Sequence, residues 1–177
     1  MARKLHSRNR TTPPNPKTES NGIEAQSPEV AKVLGKVKTL LQEQRPEEAL
    51  DVIARSRLKS PWITNAIGAC QLRLGNGKQA VAAFQGLVLY SGVLLKRDAP
   101  MVFKTNYAAA LLASDNLAGC LSLLNEVNEE ENPTVQRLRA AIQRWKQSLS
   151  FWQKFQWYLG GDPGRKVMLD FPLGEVE

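Results

Sequence analysis

Residues 61–88 read PWITNAIGACQLRLGNGKQAVAAFQGLV, and this stretch decides the fold of the chain. The spacing of its apolar residues predicts two amphipathic helices joined by a turn at Gly75-Asn76-Gly77. A glycine inside the first helix, Gly68, costs roughly 1 kcal/mol relative to alanine. We therefore expect a neighbouring helix to pack directly over Gly68, as in a tight helical hairpin.

Helix-start signals recur along the rest of the chain. Proline is tolerated at the first position of a helix, and a Ser or Asn before it caps the free amides. This pattern is present at Ser27-Pro28, Ser60-Pro61 and Asn132-Pro133, with Asp98-Ala99-Pro100 as a close variant. The four prolines are separated by 33, 39 and 33 residues, a period typical of helical-hairpin arrays.

Each interval between these prolines divides into two predicted helices. They span 30–43 and 46–58 in the first interval, and 99–113 and 117–127 in the third. Apolar residues recur at steps of three and four, which favours helices, and no segment predicts a strand. We predict an all-α fold: a short right-handed α-solenoid of about three helix-turn-helix repeats with a long C-terminal capping helix.

The predicted organisation has four regions. Residues 1–26 are basic and then rich in Thr, Pro, Asn and Ser, which predicts a disordered tail. The hairpins occupy 27–133 (about 28–59, 60–98 and 99–132), the capping helix 134–160, and an extended C-terminal tail 161–177. Val167, Leu169 and Phe171 make this last region apolar enough to dock on the helices.

The best hairpin also carries a family pattern. Ile67-Gly68, the turn residue Gly75, and Ala80 and Phe84 are spaced as in a tetratricopeptide repeat, so residues 61–92 resemble this family. Residues 99–133 are similar to a weaker copy, and the likeness covers roughly 28–133. The sequence departs from the family at Thr64, which replaces its tryptophan, and at an insertion over residues 91–98.

The resemblance implies that the first helices of the hairpins line a concave groove that binds peptides. Carried over by position, the groove residues are Trp62, Asn65, Leu72, Arg73, Thr105 and Asn106, together with Ala69, Val102, Ala109 and Leu112. Lys38 and Asn106 match places that bind a terminal carboxylate in the family, but Leu34 replaces a basic residue, so a complete clamp is not predicted. The alternative role for Trp62 is to hold one hairpin against the next.

The last predicted helix carries more aromatic residues than one buried stripe needs. Capping the array is its first interpretation, because terminal repeats must cover an apolar edge. Four surplus aromatics beside basic residues also predict a second interface, with a protein or with a membrane surface. They are Phe151, Phe155, Trp157 and Tyr158.

Composition argues against catalysis. The single histidine, His6, lies in the predicted disordered tail, and Cys70 and Cys120 have no partner that would activate a thiol. No metal-ligand spacing is present, so we predict a non-enzyme with no cofactor, no metal and no small-molecule substrate.

The net charge of +7 is concentrated near the start, since residues 1–20 contribute +4. No signal peptide precedes the helices, which predicts a cytoplasmic protein. We predict a protein–protein interaction module, either an adaptor, a scaffold or an assembly factor. Attachment to a membrane surface or to nucleic acid, through the basic tail and the aromatic helix, is the alternative.

Overall fold

The structure is a computed structural model and describes residues 27–161 and 163–176. This part of the chain is mostly helical, which confirms the all-α prediction. Its elements are α1 (Pro28–Gln42), α2 (Pro46–Ser56), α3 (Pro61–Arg73), α4 (Gly77–Val88), β1 (Leu89–Tyr90), β2 (Leu94–Leu95), α5 (Met101–Ala113), α6 (Leu117–Val127), α7 (Pro133–Ser148) and α8 (Phe151–Tyr158). The predicted disordered tail, 1–26, lies outside the described residues.

Three helices begin as their capping signals predict. The side chains of Ser27, Ser60 and Asn132 accept hydrogen bonds from the first backbone amides of α1, α3 and α7, with proline at the first helical position. The variant signal differs, because Pro100 itself is the N-cap of α5 and makes no side-chain cap.

Three-residue turns join α1 to α2, α3 to α4 and α5 to α6. The helices of each pair pack together, and α2 packs on α3 and α4 on α5. The buried apolar residues form two clusters. An N-terminal cluster lies among α1, α2 and α3, and a C-terminal cluster extends from α3 to α7.

Gly68 lies directly under Phe84 of α4, as expected. A Cβ added to Gly68 would lie 2.5 Å from Cζ of Phe84, whose side chain is fully buried. The glycine is therefore required by the contact between α3 and α4.

Alanine substitutions at Gly68 and Gly35 are expected to have opposite effects on stability. No heavy atom lies within 4 Å of a Cβ added to Gly35 in α1, so Gly35→Ala should raise the free energy of unfolding by up to about 1 kcal/mol. Gly68→Ala should lower it by roughly 1–3 kcal/mol, because the Phe84 ring must move within a packed core. Urea unfolding of both variants measures this, and a shift of both in the same direction contradicts the packing described.

Two local features differ from the sequence prediction. Residues 89–95, where no strand was expected, form a two-stranded antiparallel hairpin that pairs Leu89 with Leu95 and Tyr90 with Leu94. The single helix expected over 134–160 is interrupted at Leu149, which is buried in an extended conformation with ψ 137°. Ser150 then starts α8 with a capping box, in which Gln153 is the reciprocal partner.

Among the described residues, none of the helices combines the length and the apolar character needed to cross a lipid bilayer.

Candidate functional site

The C-terminal segment 163–176, called the tail below, runs from α7 back to α3. Near its start, the Trp145 indole N–H donates to the carbonyl of Arg165 at 2.7 Å, and the Arg165 guanidinium donates to the Ser148 carbonyl at 2.9 Å. Two exposed ion pairs follow, Lys166 with Asp115 at 2.5 Å and Arg144 with Asp170 at 2.8 Å. Exposed pairs of this kind add little stability, so they contribute little to the docking of the tail.

Alternate residues of the tail dock on the C-terminal cluster. These residues are half-buried against it, whereas the residues between them are exposed, as expected for an extended chain lying on a surface. The docked residues are Val167, Leu169, Phe171 and Leu173. The predicted docking of Val167, Leu169 and Phe171 is confirmed.

The alternation changes phase at Gly174. Gly174 and Val176 are buried, and Glu175 between them is exposed. Gly174 has φ +82°, and a Cβ added to it would lie 2.7 Å from Cα of Ala69 in α3. Both the left-handed backbone and the close approach to α3 require glycine here.

Beyond Gly174, two buried asparagines hold the main chain of the tail. The Asn65 amide Nδ2 donates to the carbonyls of Glu175 at 3.0 Å and Val176 at 3.2 Å. The Asn106 Nδ2 donates to the Glu175 carbonyl at 2.6 Å and to Asn65 Oδ1 at 2.9 Å. In return, the backbone N–H of Glu175 donates to Asn106 Oδ1 at 2.9 Å. Both amide groups are thereby satisfied, which a buried asparagine needs.

Three further contacts hold Leu173, Glu175 and Val176 of the tail. The Arg73 Nε–H donates to the carbonyl of Leu173, and burial lowers the pKa of the Arg73 guanidinium. The Thr134 hydroxyl donates to the Glu175 carboxylate at 3.1 Å, and Val176 packs into the N-terminal cluster with 5% of its surface exposed. We call Asn65, Ala69, Arg73, Asn106 and Thr134 the tail-binding surface.

This surface recognises an extended main chain rather than particular side chains. Most of its hydrogen bonds go to backbone groups of residues 173–176, whose carbonyls and amides are the same in any peptide. Selectivity comes from two positions, because a side chain clashes at Gly174 and a valine-sized apolar group fits at Val176. The arrangement therefore suits binding, in the manner of a peptide laid against a framework of fixed polar groups.

The predicted groove residues divide into two groups. Asn65, Arg73 and Asn106 are brought together and contact the tail. Leu72 is buried in the C-terminal cluster, and the Thr105 hydroxyl donates to carbonyls of its own helix. Trp62 packs edge-on against Phe103 with ring centroids 4.9 Å apart, which fits its alternative role of joining neighbouring hairpins.

Sequence reasoning did not identify Gly174 or Thr134 as part of the site. Glycine followed by a charged residue and an apolar one carries no recognisable pattern, and the sequence places Thr134 only at the start of the predicted capping helix. The one available signal was the apolar alternation from Val167 onward, which predicted docking but not its position.

The second predicted interface lies on α8, which contributes no residue to the tail-binding surface. Phe151, Phe155 and Tyr158 are 76%, 50% and 86% exposed. Trp157 instead turns inward, edge-on to Trp145 with centroids 5.6 Å apart.

Both cysteines are buried, and burial raises the pKa of the Cys70 and Cys120 thiols to about 12. These thiols therefore stay protonated at neutral pH, and a protonated thiol is a poor nucleophile and a poor metal ligand. Within residues 27–161 and 163–176, no group of three His, Cys, Asp or Glu side chains is placed to hold a metal ion.

Comparison of the chain with protein-family models, with curated proteins and with solved structures found no match.

Proposed function

We propose that helices α1 to α6 form a short right-handed solenoid similar to tetratricopeptide repeats and that the chain is a non-catalytic protein–protein interaction module. An adaptor, scaffold or assembly factor of the cytoplasm is the role that fits. The repeated helix pairs with three-residue turns and the Gly68–Phe84 contact support the repeat assignment. The tail-binding surface is then the peptide groove of the array.

One observation carries this proposal: the tail already lies on the tail-binding surface as a peptide ligand would. Five hydrogen bonds join the side chains of Asn65, Arg73 and Asn106 to the main chain of residues 173–176, four donated by the side chains and one by the Glu175 amide. Such bonds give affinity to any extended peptide, and flanking apolar sites give selectivity. The partner is therefore an extended peptide with a glycine, one further residue and then a small apolar residue.

A partner peptide must compete with the tail, because both use the same surface. An attached segment acts at an effective concentration on the order of millimolar. A free peptide that makes the same contacts as the tail is therefore largely excluded from the tail-binding surface of the wild-type protein. Displacing the tail should open the surface without altering any residue that forms it.

The test uses the full-length protein with Gly174→Val, which forces a side chain against Ala69. The probe is a fluorescent synthetic peptide with the sequence of residues 165–177, and its binding is measured by fluorescence anisotropy. We expect Gly174→Val to bind the peptide at least about tenfold more tightly than the wild type. The matched control is Gly160→Ala, because Gly160 has φ +81° and no heavy atom within 4 Å of an added Cβ.

Two further measurements locate the binding. Adding Asn65→Ala and Asn106→Ala to the Gly174→Val protein should abolish binding, with circular dichroism showing that the helices remain. A second peptide, identical except for valine at the position of Gly174, should fail to bind the Gly174→Val protein, in which Asn65 and Asn106 are unchanged. Equal affinity of wild type and Gly174→Val, or equal binding of both peptides, overturns the proposal.

A further inference from the structure

Five large apolar residues of α8 and its C-cap are exposed together. We call them the aromatic face: Phe151, Trp152, Phe155, Tyr158 and Leu159. Their exposed fractions run from 50% to 86%, and no residue of α8 is buried. At 100° per residue, all five fall within an arc of about 120° around the helix. The aromatic face is therefore one continuous stripe rather than scattered residues.

The opposite side of α8 is what holds the helix on the protein. Trp157 packs edge-on against Trp145, and the Gln153 amide donates to the Pro163 carbonyl at 3.2 Å. The capping box between Ser150 and Gln153 satisfies the first amides of the helix. Since these contacts fix the inner side, α8 is already formed with its aromatic face turned away from the protein.

Two lysines lie beside this stripe. Helix α8 itself carries one basic residue, Lys154, and no acidic one. Lys146 and Lys154 line a shallow cleft of about 440 Å³ together with Phe151, Phe155 and Tyr158. The Lys146 ammonium lies over the Trp157 ring, 5.0 Å from its centroid. The cleft is thus apolar at its base and cationic at its rim.

An apolar stripe with a cationic rim is complementary to the surface of an anionic lipid bilayer. Trp, Tyr and Phe are favoured at the boundary between headgroups and acyl chains, because their rings are apolar while Trp and Tyr keep a polar group in contact with water. Lysines at the edge of such a helix lie at the level of the lipid phosphates. A water-soluble protein partner would need an apolar patch bordered by acidic residues to complement the aromatic face and its lysines.

We propose that α8 lies in the interface of an anionic phospholipid bilayer, with the aromatic face inserted at the headgroup boundary and Lys146 and Lys154 against lipid phosphates. This attachment uses a different surface from the tail-binding surface and does not depend on the peptide-binding role. A helix of eight residues provides modest, reversible attachment rather than permanent anchoring.

The test is flotation of the full-length protein with vesicles of phosphatidylcholine alone or mixed with phosphatidylglycerol, at low and high salt. We expect roughly tenfold or more binding to the mixed vesicles at low salt, and a steep loss at high salt, because exposed charges are screened. Tryptophan fluorescence should shift to shorter wavelength on binding, since Trp152 leaves water. Failure to bind either vesicle, or equal binding to both, overturns the proposal.

Matched variants assign the binding to α8. Phe155→Ser with Tyr158→Ser should remove vesicle binding, whereas Val93→Ser with Leu94→Ser, at apolar residues 77% and 68% exposed in the β-hairpin, should retain it. Lys154→Gln should reduce the preference for anionic vesicles. Loss of binding in the Val93/Leu94 control overturns the assignment. So does a dimer, seen by sedimentation velocity, that the Phe155/Tyr158 variant abolishes, because a second copy then covers the face.

Discussion

Phe84→Ala is expected to lower the free energy of unfolding by about 3–5 kcal/mol, the usual effect of removing a buried aromatic ring. The Phe84 side chain is fully buried in the C-terminal cluster and lies on Gly68. The residue of α3 that faces Phe84 is Gly68, which has no side chain to fill the cavity that Phe84→Ala leaves. Urea unfolding followed by circular dichroism measures the loss, with Phe151→Ala as the exposed control, which should change stability by no more than about 0.5 kcal/mol.

A double-mutant cycle makes the expectation specific to the contact between α3 and α4. Gly68→Ala is harmful only while the Phe84 ring occupies the space that the new methyl group needs. In the Phe84→Ala background it should therefore be neutral or stabilising, a coupling that contacting residues show. Additive effects of the two substitutions contradict the direct packing of Phe84 on Gly68.

Gly174→Val should release the end of the tail and leave the helices folded. The amide of Glu175 donates to Asn106 in the wild type, so its hydrogen exchange is expected to be slow, and it should become fast in the variant. The free energy of unfolding should fall by about 2 kcal/mol. Val176 loses its burial, which destabilises the folded protein, and the conformational entropy regained by the released chain offsets part of this loss.

The control for this prediction is Gly160→Ala, which strains a similar left-handed backbone without a clash. It should cost about 1–2 kcal/mol and leave exchange at Glu175 slow. Fast exchange at Glu175 in the control, or slow exchange in Gly174→Val, contradicts the role assigned to Gly174.

Much of the helical organisation could be predicted because its determinants are local. The caps at Ser27, Ser60 and Asn132 act on amides two or three residues away. The helix predicted over 117–127 has the bounds of α6. Such signals depend on neighbours in the sequence and need no knowledge of the tertiary structure.

The break before α8 was missed because the helical stripe continues through Leu149 without interruption. Leu149 is buried where the helix ends, and an apolar residue at this position fits a continuing helix equally well, so periodicity alone does not distinguish the two cases. The Ser150 and Gln153 pair was the local signal for a new helix. The short hairpin had a signal too, since Ser91-Gly92 lies between apolar pairs.

The sequence predicted most of the helix residues of the candidate site but not the segment that binds them. The family resemblance pointed to Asn65, Arg73 and Asn106, and these residues do contact a peptide-like segment. That this segment belongs to the same chain was not predicted. Asn65 and Glu175 are 110 positions apart, and no local pattern reports a contact over that distance.

The position of the tail in the chain also affects the order of events during synthesis. Residues 167–176 leave the ribosome after every helix that they contact, and helical hairpins that bury their faces against neighbours can fold before the tail is made. During that interval the tail carbonyls and amide that pair with Asn65 and Asn106 have not yet been made. Each newly made molecule therefore passes through a stage in which its tail-binding surface is uncovered, and that stage ends when its own tail binds.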